Sequence, residues 1–132
     1  MRIATFNVQN LRLRSRDGQT RLDGAFDRDA SEADRSGSLA MADRIKTAKI
    51  IAAAQADVVA LQEVFDNATL DFFCERFLAP ARARSYDYRY CKKGNDGSGL
   101  NVAALSRRKA RQVQSHAYKT GADLGLSDLP PD

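Results

Sequence analysis

Two short segments constrain this chain more than anything else in it. Arg2-Ile3-Ala4-Thr5-Phe6-Asn7-Val8 and Val58-Val59-Ala60-Leu61 are apolar on both faces of an extended backbone. A strand that is apolar on both sides belongs inside a sheet, covered above and below. Between them one amphipathic stretch, from about Leu39 to Ala54, carries Met41, Ile45, Ala48, Ile51 and Ala52 on one side and Asp43, Arg44, Lys46 and Lys49 on the other, with Ser38 placed to cap it. Strand, helix, strand at this spacing predicts a crossover unit with the two strands parallel.

The rest of the chain extends that α/β pattern. Residues 10–37 hold few apolar side chains and no period, and are expected as a long polar loop. Asp66 or Asn67 can start a second helix with Leu70, Phe73, Cys74, Phe77 and Leu78 as a single stripe, ended by Pro80. Tyr86 to Tyr90 alternates as a strand, 94–99 is a glycine-rich turn, and Leu100 to Leu105 is another buried strand. Arg111 to Tyr118 alternates weakly and is expected as a fifth, more exposed strand, with 119–132 as a tail. At 132 residues there is room for one domain.

Composition narrows the partners. No apolar run reaches the roughly 18 residues that cross a bilayer, and the first residues lack a signal-peptide pattern, so a cytoplasmic protein is expected. Cys74 and Cys91 have neither C-x-x-C spacing nor further ligands nearby, and read as ordinary thiols. The net charge of +4 is unevenly spread: ten Lys and Arg face two acids between Arg82 and Lys119. A basic segment of this kind suits a polyanion such as nucleic acid, or is simply a solvated face.

Glu63 is the sharpest single residue. A carboxylate just beyond four apolar strand residues stands at the carboxyl end of a buried strand, where open α/β sheets collect their sites. It can serve Mg²⁺, which wants one or two such oxygens, or merely cap the strand against a neighbouring helix. Asn7 sits near the carboxyl end of its own strand. Parallel pairing would bring it beside Glu63, to hold a phosphate, orient a metal-bound carboxylate or satisfy the backbone. His116, the only histidine, is a general base by residue type alone, and otherwise a partly exposed strand residue.

These residues resemble a known family. Residues 2–11, ending Phe6-Asn7-Val8-Gln9-Asn10-Leu11, look like the first strand of the endonuclease/exonuclease/phosphatase superfamily, which includes deoxyribonuclease I-like and apurinic-endonuclease-like enzymes. Residues 56–64, with Leu61-Gln62-Glu63-Val64, look like its second motif, and residues 99–107 are similar to a later apolar strand ending in Ser.

The resemblance implies a mixed sheet with flanking helices, the N-terminal half of a four-layered α/β/β/α sandwich, forming a single incomplete domain over 1–132. It implies Mg²⁺ or Mn²⁺ on Glu63, with Asn7 contacting the metal or phosphate, and a phosphate-ester substrate. The expected activity is that of a metal-dependent phosphoesterase, most simply a nuclease on DNA. A non-catalytic nucleic-acid-binding remnant and a phosphoinositide or sphingolipid phosphoesterase stand as alternatives. Gln9 falls where some members carry an acid. The Asp-x-Asn and Ser-Asp-His motifs of the family have no counterpart here, so the chain alone is expected to be inactive. An inner sheet face left without its partner is expected to expose apolar side chains and to allow self-association.

Overall fold

The structure, a computed structural model, describes residues 1–16, 18–25 and 37–126. Its centre is a four-stranded mixed sheet formed by β1 (Ile3–Leu11), β4 (Val58–Val64), β5 (Tyr88–Cys91) and β6 (Asn101–Ser106), in the order β1-β4-β6-β5. β1 and β4 are parallel and are joined through α1 (Gly37–Ala54), as the two apolar segments require. β6 lies antiparallel to both β4 and β5.

Both helices serve one face of this sheet. Val8, Val59, Leu61 and Leu105 alternate inward and share a core with Ala48 and Ile51 of α1 and with Leu70 and Phe73 of α2 (Asn67–Phe73). Asp66 caps α2 by accepting from the Thr69 N–H at 2.7 Å. α2 then widens into a π turn, Cys74–Leu78, closed by the Ala79 N–H on the Cys74 carbonyl at 3.0 Å. The opposite face is largely bare, and Ile3 (63% exposed) and Val102 (69%) stand in solvent, as an uncovered inner face implies.

Three expectations fail. Residues 10–37 are not one loop: β1 runs on to Leu11, and β2 (Leu13–Arg16) pairs antiparallel with β3 (Gln19–Leu22), closing Leu13 against Leu22. Leu22 drops into the core and Leu13 packs against it, and these two side chains anchor an otherwise polar ribbon. The part of the expected loop at 26–36 lies outside the described residues. Second, residues 111–118 form no strand, because the segment presents no apolar face for a sheet to bury; Val113 itself is exposed.

The third concerns α1. The helix is already under way at Gly37, so Ser38 lies inside it. Its buried stripe is Ala40, Arg44, Thr47, Ala48, Ile51 and Ala52, so the expected face holds at Ala48, Ile51 and Ala52, while Met41 and Ile45 face outward. Arg44, expected in solvent, is the largest fully buried side chain of the described residues. The fold rotates the helix to bring a guanidinium under the end of β1, and the reason lies in the backbone there.

Candidate functional site

At the carboxyl ends of β1 and β4 the sheet loses its register. β1/β4 pairing shifts between Asn7 and Leu11, and β4/β6 pairing shifts between Leu61 and Val64. In the same place Gln9 (φ 47°), Asn10 (φ 50°) and Glu63 (φ 65°) adopt left-handed backbone without being glycine. Such residues cost about 1 to 3 kcal/mol each and persist only where their surroundings hold them. Paired bulges re-aim side chains, and here they turn two neighbouring strand ends toward each other.

The sequence expectation that Asn7 and Glu63 converge is met. The Asn7 amide Nδ2 donates to Glu63 Oε1 at 2.8 Å, and the Asn10 backbone N–H donates to Glu63 Oε2 at 3.0 Å. Asn7 Oδ1 in turn accepts from the Gln9 N–H at 2.8 Å. That second bond fixes which end of the amide faces the carboxylate. Asn7 therefore orients Glu63 and does not offer it an oxygen. Gln9, expected where relatives place an acid, contributes its backbone to this turn.

Arg44 is the residue that sequence reasoning misplaced. Its guanidinium donates to the carbonyls of Val8 and Gln9 (2.8 Å to the latter), more weakly to Asn10 (3.4 Å), and to Asp23 at 2.6 Å. The bulge swings these carbonyls away from sheet partners, and buried carbonyls must be paired. Burial pushes the guanidinium down to about 10, an effect that Asp43 and Asp23 oppose. It stays charged at neutral pH and locks the turn that carries Asn7, Gln9 and Asn10.

The far side of the site is built from β6 and the turn before it. Asn101 donates to the Phe65 carbonyl at 2.6 Å and accepts from the Gly94 N–H at 2.7 Å, tying the end of β4 to the 94–99 turn. Gly99 is left-handed (φ 83°), and a Cβ there would lie 3.3 Å from the Phe65 ring, so glycine fits where a side chain would crowd. Arg12 stacks over that same ring, 4.2 Å from its centroid.

Glu63 opens onto a cleft of about 530 Å³ that is also lined by Lys92, Asn95, Asp96, Ser115 and His116. A larger hollow of about 860 Å³ lies between α1, β3 and the π turn, walled by Met41, Ile45, Phe72 and Phe77. Size alone would choose that one. It holds a single carboxylate, Glu75, and none of the converging polar groups found at Glu63, so the chemistry points to the smaller cleft.

The basic segment does not gather there as a whole. Arg84 and Arg107 both bind Asp57, at 3.1 and 3.0 Å, at the opposite end of β4, and Arg89 binds Asp71 at 2.9 Å. Cys74 and Cys91 are free and buried; desolvation pushes the Cys74 thiol up to about 12 and raises Cys91 as well, so neither acts as a nucleophile. Among the described residues no cluster of three or more His, Cys, Asp or Glu is placed to hold a metal. A single carboxylate suffices for an ion that keeps its waters and takes phosphate oxygens. Glu63 fits that demand, since both its partners are neutral donors that leave its charge uncompensated.

A family model described as Endonuclease/Exonuclease/phosphatase family matches residues 4–131. No curated protein and no solved structure gives a match.

Proposed function

Since the chain belongs to the endonuclease/exonuclease/phosphatase family, we propose that the Glu63 end of the sheet is the divalent-metal half of a phosphoesterase site, with a phosphodiester of nucleic acid, DNA first, as its substrate. One observation carries this: a half-buried carboxylate held on both oxygens by neutral donors at a strained sheet end. Glu63 would hold Mg²⁺ or Mn²⁺, and the ion when bound supplies charge neutralisation at the phosphate. Asn7 keeps the carboxylate in one orientation, the Asn10 N–H secures its second oxygen, and Arg44 below prevents the turn from relaxing.

A proton-accepting group placed against a water is the part this chain does not supply from the family motifs, and general base catalysis contributes about 10²- to 10⁴-fold. The expected behaviour is ion binding with no appreciable turnover. The test is a Mg²⁺ titration followed by the amide resonances of Gln9, Asn10 and Glu63, run beside a phosphodiester hydrolysis assay. Saturable shifts that vanish in Glu63→Gln support the reading. Amides that ignore Mg²⁺ sink it, and robust turnover abolished by Glu63→Gln would overturn the inactivity.

A further inference from the structure

The sheet has two basic regions, and they lie at its two ends. Ser106 pairs with Val58 at the start of β4, so Arg107 and the residues after it leave the sheet at the end remote from Glu63. Glu63 lies five residue steps beyond Val58, about 17 Å at about 3.3 Å per residue. From there the chain returns: the Ala110 N–H donates to the Tyr90 hydroxyl at 2.9 Å, and the Ser115 hydroxyl reaches the Lys93 carbonyl at 3.4 Å. Tyr90 and Lys93 follow one another along and beyond β5. Residues 110–116 thus run back toward the Glu63 end without joining the sheet. They deliver His116 to the cleft that Glu63 and Lys92 also line.

We propose that this cleft is a subsite for the nucleic-acid phosphate adjacent to the one at Glu63, with Lys92 and the His116 imidazole as its donors. The proposal rests on the phosphodiester reading above. Lys92 makes no ion pair among the described residues, unlike Arg84, Arg89 and Arg107. His116 is exposed, and its ring offers an N–H donor whether neutral or charged. Asp96, the other acid of the cleft, is turned into its own loop, where it accepts from the Ser98 hydroxyl and from the Leu100 N–H at 2.8 Å. Glu63 repels a phosphate while it holds no ion. Both donors line the same cleft as Glu63, which suits a second phosphate along a chain.

The experiment is fluorescence anisotropy of a labelled single-stranded oligothymidine with the intact chain in EDTA, at two salt concentrations. Lys92→Gln and His116→Ala are each expected to weaken binding roughly three- to tenfold, the loss of one exposed charged contact. Lys92→Gln should also lower the salt slope by about 0.7, the value for one cation on a single strand. Glu63→Gln is expected to tighten metal-free binding. The double change Arg108→Gln and Lys109→Gln, at the remote end, is expected to alter affinity less than twofold. The proposal is overturned if the remote pair carries the binding and the cleft variants do not, if the wild type fails to bind, or if inorganic phosphate competes as well as a dinucleotide. Because no metal is present, these results stand apart from the Mg²⁺ titration. Ion binding at Glu63 with an indifferent Lys92 removes the subsite alone, and the reverse removes the metal reading alone.

Discussion

β4 carries an acid at each end, and the two have opposite surroundings. Asp57, just before the strand, accepts the Arg2 N–H at 2.7 Å and faces the guanidinium groups of Arg84 and Arg107. The Arg2 N–H first, and the Arg107 side chain next, hold its carboxyl below the usual range. Glu63, at the other end, meets an amide and a backbone N–H, and no cation of the described residues lies within ion-pair distance. A carboxylate saturated by the protein's own cations fastens the sheet to its neighbours. One held in place by neutral donors keeps its charge for something that arrives from outside. Position at a strand end is the same in both; the sign of the neighbours separates a clasp from a site.

The largest expected effect tests whether the Glu63 end is held from below. Arg44→Ala leaves the carbonyls of Val8 and Gln9 without a donor, and a buried unpaired acceptor costs about 1 to 3 kcal/mol. A loss of about 3 kcal/mol in urea unfolding is expected, with Arg44→Lys recovering little because one ammonium cannot replace a fork of donors. A loss below about 0.5 kcal/mol, the range of ordinary surface changes, would show that the bulged turn stands on its own.

Next comes Glu63→Gln, which removes the uncompensated charge. Mg²⁺ affinity is expected to fall below detection while stability stays within about 0.5 kcal/mol. Asn7→Ala is expected to lower the affinity about 10-fold or more, since removing the group that orients a metal-bound ligand typically costs 10- to 100-fold. Equal Mg²⁺ affinity in Glu63→Gln and wild type would erase the distinction between the two acids.

Asp57→Asn should act the other way, on stability alone. A depressed folded pKa means the carboxylate stabilises above its unfolded value of about 3.9, and this support disappears as pH falls through the lower folded value. The variant is therefore expected to melt lower at neutral pH and to lose less than wild type on acidification, with Mg²⁺ binding unchanged. A parallel loss of ion binding would mean the two ends are coupled. The smallest effect belongs to the bare face: Val102→Thr is expected to change stability by less than about 0.5 kcal/mol, because the side chain is already in water.

Much of this was legible from residue patterns. The doubly apolar segments gave parallel β1 and β4, and Glu63 was visible because a carboxylate beyond four apolar residues has to stand at a strand end. The hairpin was missed although Asp17-Gly18, a dipeptide favoured in tight hairpin turns, lies between its strands; its polar strands hid the alternation that turn should have prompted. Arg44 was illegible for a deeper reason. Periodicity assigns a charged residue to solvent, and only the left-handed backbone at Gln9 and Asn10 creates the carbonyls that need it. His116 reaches the cleft by a return path that no local pattern encodes.

The bulge at Gln9 and Asn10 has one more consequence, for the chain's behaviour in a crowd. β1 is an edge of the sheet, and an open edge with an apolar residue such as Ile3 invites a foreign strand to dock on its free N–H and C=O groups. Two successive left-handed residues end the regular ladder after Asn7. The same kink that aims Asn7 at Glu63 therefore cuts the edge to five residues, Ile3 to Asn7, and limits how far an aggregating neighbour can zip along it.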